Sequence, residues 1–173
     1  MARAFRLWEN AVVADLLPAA ADAAGRTSTY ISVANGHKAY LVCRVTQGNA
    51  APVTFTPLQA LDAIGTASKV LTAPAPIVAN LNSVLTDQFV IVAAAANYTT
   101  DVGINCKLVV FEIDPIESMD LNSNTGITLA GNKQPFNHLA IQTSASNVLN
   151  ITSALLIMMP LRFAQLNPPT VLV

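Results

Sequence analysis

HKAYLVCRVTQGNAAPVTFTPLQALDAIGTASKVL, residues His37–Leu71, decides the fold class. Along Lys38–Thr46 the side chains alternate: Ala39, Leu41, Cys43 and Val45 point one way, Lys38, Tyr40, Val42, Arg44 and Thr46 the other. Period-two alternation with one apolar face predicts a half-buried strand. Gln47-Gly48-Asn49 supplies residues that tolerate a reversal, and Val53 and Phe55 resume the alternation on the way back.

Outward from that stretch the chain keeps the same character. Thr27–Val33 (TSTYISV) is β-branched and aromatic, and Asn35-Gly36 follows it, so a hairpin with Lys38–Thr46 is expected. Pro52 and Pro57 flank the next strand and predict a short or edge strand. Leu58–Ile64 reads equally as continued strand or one helical turn. Thr72–Thr86 contains Pro74 and Pro76 and predicts an extended segment without regular ladder pairing. Gln88–Ala93 predicts a buried strand, and Lys107–Ile113 a strand with Lys107, Val109, Phe111 and Ile113 on one face. Glu117–Gln134 has loop composition, with a brief strand at Ile127–Leu129. Phe136–Thr143 alternates again. Ile151–Phe163 is the last and longest strand, with Pro160 demanding a bulge or an edge.

About eight short strands without intervening amphipathic helices predict a mainly β, single-domain antiparallel β-sandwich of jelly-roll type. Residues 1–26, rich in alanine and interrupted by Pro18, read as an extended N-terminal arm, and residues 27–173 as the β-sandwich domain. Glu9, Asn10 and Asp15 break any continuous apolar core in that arm, so it reads as mature protein and not as an export signal.

Composition narrows the function classes. At 173 residues the chain can close a sizeable core as one domain. Its charged fraction of 11% is less than half the roughly 25% of an ordinary soluble domain. Too few charges cover a monomer, which leaves a membrane protein or a subunit buried against others. No stretch reaches the ~18–20 apolar residues that a spanning helix needs. Aromatic residues make up 6%, too few for the girdles of an outer-membrane barrel. With net charge −1 and dispersed basic residues, nucleic acid is not an expected partner. Burial in an assembly remains.

Chemistry finds little purchase. Cys43 and Cys106 make no disulfide framework and read as buried thiols. His37 and His138 lack ligand-like neighbours, and no metalloprotease, paired-cysteine or phosphate-loop motif occurs. Glu112 and Asp114 share a strand face at about 7 Å, as paired catalytic carboxylates would, but a solvated strand end explains them better. Asp120, Asn122 and Asn124 resemble a calcium loop without its glycine and distal glutamate. The reading is therefore a non-enzyme with no cofactor and no metal.

The order TSTYISVANGHKAYLVCRVTQGNAAPVTFTPLQA, GTASK, PIVAN, LVVFEIDP and ASNVLNITSALLIMMPLRFAQLNPPT resembles small structural proteins of tailed bacteriophages, of the head-associated decoration or cement kind. The similarity runs from about Thr27 onward and includes no diagnostic motif. It implies a virion protein, made in the host cytoplasm, that binds the outer lattice of the major capsid protein as a homotrimer. A tail or head–tail connector subunit is the next reading, and a carbohydrate-binding jelly roll the one after. The resemblance names no contact residues. The sequence itself offers the two apolar, irregular termini: Phe5, Leu7 and Trp8 in the arm, and Leu166, Pro168, Pro169 and Val171 in the tail, as candidate anchors on a neighbouring subunit.

Overall fold

The computed structural model describes residues 10–120, 128–129, 132–133 and 135–161. The strands are β1 (Val12–Ala21), β2 (Ile31–Ser32), β3 (Gly36–Gln47), β4 (Thr54–Ala60), β5 (Lys69–Val70), β6 (Ala75–Asn80), β7 (Val90–Ala95), β8 (Tyr98–Thr99), β9 (Cys106–Ile113), β10 (Thr128–Leu129), β11 (Asn132–Lys133), β12 (His138–Thr143) and β13 (Asn150–Leu161). One described helix, α1 (Pro115–Ser118), follows β9. All pairings are antiparallel. One sheet has the order β1-β13-β3-β9-β6-β7, and the second runs β2-β12-β4-β5 with β8 also on β4. Among the described residues, β10 and β11 pair only with each other. The mainly β, two-sheet sandwich expected from the alternation is the observed architecture.

The core forms where the inward faces of the two sheets meet. From the larger sheet come Leu41, Cys43 and Val45 of β3, Val109, Phe111 and Ile113 of β9, and Leu156 and Met158 of β13. Phe55, Leu139, Ile141 and Ile31 face them from the smaller sheet. Register aligns Ala14, Leu156, Leu41, Phe111, Ile77 and Val92 in one transverse row along the inner face. Gly36 begins β3 because a Cβ there would lie 2.2 Å from the Met158 Cγ.

Four local expectations change. Thr27–Val33 does not hairpin with β3: Asn35-Gly36 carries the chain between sheets, and Ile31–Ser32 pairs with β12. The turn chemistry is present, with Gly36 N–H donating to the Val33 carbonyl at 3.1 Å, but Ile31 and Val33 bury in the opposite layer. Val12–Ala21, within the segment read as an arm, is a strand on β13, with irregularities that bracket Leu17. Thr72–Thr86 contains the regular strand β6, which pairs on both sides. Pro74 precedes it, and Pro76 falls where the β6–β7 register shifts, so neither proline costs a ladder bond. Gln88–Ala93 is not buried: β7 is the end strand of the larger sheet, where Val92 packs against the core while Phe89, Val90 and Ile91 stay exposed.

Polar side chains that enter the sandwich are held by specific partners. Lys107 extends the apolar face of β9 and is fully buried. Its Nζ donates to Gln47 Oε1 at 2.6 Å and to the carbonyls of Asp101 and Gly103, and pairs with Asp101 Oδ1 at 2.7 Å. At the end of β1, Arg26 donates to the Pro18 carbonyl and to both oxygens of Thr152, while Thr143 Oγ1 donates to buried Asp22 at 2.8 Å. Gly25, at φ +75°, fits there because a Cβ would lie 2.7 Å from the Thr143 carbonyl oxygen. These contacts staple β1 to β12 and β13.

Truncating Phe111→Ala removes the centre of the inner row and should cost about 3–5 kcal/mol in chemical denaturation. A second expectation is pH-dependent. The hydrogen bond from Lys107 holds the Asp101 carboxyl below its ordinary value of 3.8, helped by the Gly103 N–H. A depressed folded pKa stabilises above the unfolded value, and the stabilisation is lost as pH falls through the folded one. The stability difference between wild type and Asp101→Asn should therefore shrink below about pH 4, read from urea midpoints across the acid limb.

Candidate interaction surface

Strand alternation sends every second residue of the larger sheet outward, and in most sandwiches that face is polar. Here β9 and β13 carry apolar residues on both sides, and β3 adds Val42 to an otherwise polar outward face. Register places Leu155, Val42, Val110, Val78 and Ile91 in one outward row that crosses β13, β3, β9, β6 and β7. Four interstrand steps make it roughly 19 Å long. Asp15 on β1 stands at its β13 end, opposite Leu155. Beside it run Val13, Ile157, Tyr40 and Glu112 on one flank and Ser153, Arg44 and Leu108 on the other. Exposure rises toward the edges: Val42 and Val110 are half-buried by their neighbours, Leu155 is 42% exposed and Ile91 86%.

The apolar row continues into the strand edge. Leu81, Val84, Leu85, Phe89, Val90 and Ile91 are six of the sixteen exposed large apolar side chains among the described residues, within eleven consecutive positions. A groove of about 340 Å³ opens beside them, lined by Leu81, Val90, Val92 and Tyr98 among others. A second, of about 390 Å³, lies between Val84, Leu85, Ile104 and Cys106. No group of three or more metal-ligating side chains occurs among the described residues.

The candidate anchors from the sequence, Phe5, Leu7, Trp8, Leu166, Pro168, Pro169 and Val171, all lie outside the described residues. The carboxylates considered for catalysis have other partners. Glu112 forms an ion pair with Lys38, and Asp114 caps α1, its Oδ1 accepting from the Ile116 N–H at 2.9 Å. Asp120 of the calcium-like segment pairs with Lys69, while Asn122 and Asn124 lie outside the described residues. His37 is exposed. His138 bonds Asn137 Oδ1 through Nδ1, and burial holds its pKa below the ordinary value. The outward row was not anticipated, although a signal existed. LVVF (108–111) and ALLIMM (154–159) are continuous apolar runs, the pattern of strands covered on both faces.

The two thiols differ in the same register. Cys43 is sealed in the core, and burial pushes its pKa far up. Cys106, read from sequence as equally buried, is partly exposed on the outward face beside Thr46. The Thr46 hydroxyl first, then Arg44, lower its pKa. Iodoacetamide at neutral pH should therefore alkylate Cys106 alone in the native protein, and Cys43 only after unfolding, as peptide mass mapping would show.

No family model matches the chain, and no curated protein matches it. Among solved structures it is similar to the SPBc2 prophage-derived protein YomS, at 7% identity and a TM-score of 0.45, over 86% of this chain and 92% of that one. It is also similar to a putative sugar binding protein from Bacteroides thetaiotaomicron VPI-5482, at 10% identity and a TM-score of 0.31, over 78% of this chain and 65% of that one. At these scores neither likeness assigns a role.

Proposed function

We propose that this chain is a virion structural protein of a tailed phage or prophage, a decoration or cement subunit that binds the outer lattice of the major capsid protein and stabilises the head. The observation that carries the reading is the outward apolar row Leu155–Val42–Val110–Val78–Ile91. A solvated monomer gains nothing from a half-buried apolar stripe on the outward face of its larger sheet, whereas an assembly subunit gains a docking face. The low charged fraction supports the same reading, and the sequence resemblance supplies the kind of particle. The chemistry is burial of apolar surface, with Asp15, Arg44 and the Lys38–Glu112 pair at the rim to fix orientation.

Mass spectrometry of purified particles, with heads and tails separated, should find the chain on heads. Recovery with tails alone would move the role to the tail. On heads stripped of the protein, Leu155→Lys and Val42→Lys should each bind at least tenfold more weakly than wild type, about 1.4 kcal/mol. Both side chains point outward, so the fold should survive, as an unchanged far-UV spectrum would verify. Undiminished binding by both variants would remove the sheet face as the docking surface.

A further inference from the structure

We infer that β7 is a self-association edge, on which a second copy of this chain adds its own β7 antiparallel about a two-fold axis near Ile91. The inference does not depend on the phage reading.

The larger sheet ends in two unlike strands. β1 is blunted: it carries Asp15 and Pro18, and its register slips on both sides of Leu17. Natural edges use such charges, prolines and bulges to prevent strand addition. β7 has almost none of this. Gln88–Thr100 (QFVIVAAAANYTT) runs thirteen residues without a charge or a proline. Its single irregularity, opposite Pro76, lies at the far end, past the regular pairs Ala79–Val90, Val78–Ile91 and Ile77–Val92. Its free side has no ladder partner among the described residues. Phe89, Val90 and Ile91 are exposed by 46, 67 and 86%.

An edge of this kind accepts an extended strand through its backbone groups, and the side chains decide which strand. The uncharged, apolar sequence fits itself. Antiparallel pairing about Ile91 sets Val90 against Val92 and Phe89 against Ala93, apolar on apolar on both faces. It also carries the two Asp87 carboxylates to opposite ends of the ladder, where a parallel arrangement would stack them side by side. The outward row would then run through Ile91 into the partner's Ile91 and across its sheet. Leu81, Val84 and Leu85, in the turn before β7, supply further apolar surface next to the axis. Because β1 is blunted, the contact closes at two copies and does not propagate into a fibre. It is a two-fold contact, distinct from the homotrimer that the resemblance implies.

Sedimentation equilibrium of the full chain tests this directly. Wild type should show a species of twice 18.2 kDa. Ile91→Lys and Phe89→Glu, each on an exposed side chain, should weaken its dimerisation at least tenfold. Ile64→Lys, on an equally exposed apolar residue in the turn before β5, should leave it unchanged. Amide exchange over residues 89–93 should slow as wild-type concentration rises and stay fast in Ile91→Lys. A wild type that remains monomeric at high micromolar concentration overturns the inference. So does any assembly, a trimer included, whose mass Ile91→Lys and Phe89→Glu leave unchanged.

Discussion

The structure depends on β3 being paired on both sides along nearly its whole length. Asn150–Met159 of β13 bonds one edge of it and Cys106–Ile113 of β9 the other. That double ladder joins a strand from the first third of the chain to the last described one, so the sheet cannot form until distant segments meet. It also fixes parity. With side chains alternating, one register sends Leu156, Leu41 and Phe111 into the core and Leu155, Val42 and Val110 out of it. A slip by one residue would exchange the rows. Both are apolar, so hydrophobicity alone discriminates weakly between them. Size and polar neighbours do the rest, because the slip would bury Arg44 and Glu112 and expose Phe111.

Scarce charge is placed where it organises structure. Lys107 closes the β9 end of the core with Gln47 and Asp101. Asp22 and Arg26 tie the end of β1 to β12 and β13. Lys69 joins Asp120 and lies 4.4 Å from the centre of the Phe136 ring. Asp62 accepts from the Thr66 N–H in the turn that leads to β5, and Asp114 starts α1. So many internal assignments from nineteen charged residues leave few to solvate the outward face of the larger sheet. The low charged fraction and the apolar outer row are two views of the same fact.

The two sheets are also unequal, and this shapes the exposed surface. The smaller sheet covers β3, β9 and β13, where the inward residues are fully buried. Over β7 the cover thins: Val92 still packs against the core, but Val90 on the same face is largely exposed and Ile91 lies open on the other. An edge strand exposed on both faces and along its backbone results from the mismatch in width. Sequence composition does not produce it.

From the residues alone, period-two alternation determined that the chain is a mainly β sandwich and which faces of β3 and β9 enter the core, because that signal is local and survives without knowledge of partners. Low charge determined that few side chains were available to solvate the surface. Pairing was beyond it. Asn35-Gly36 makes the turn that hairpins use, yet whether the flanking strands share a sheet depends on where Ile31 and Val33 find apolar cover, and that lies across the sandwich on β12. Pro74 and Pro76 remove donors, but only the register shows that those donors were not needed. Gln88–Ala93 has the composition of a buried strand. Its exposure is a matter of sheet width, which no window of sequence contains. The outward row came into being only when five strands from all parts of the chain settled into one register, and tertiary structure alone decides that.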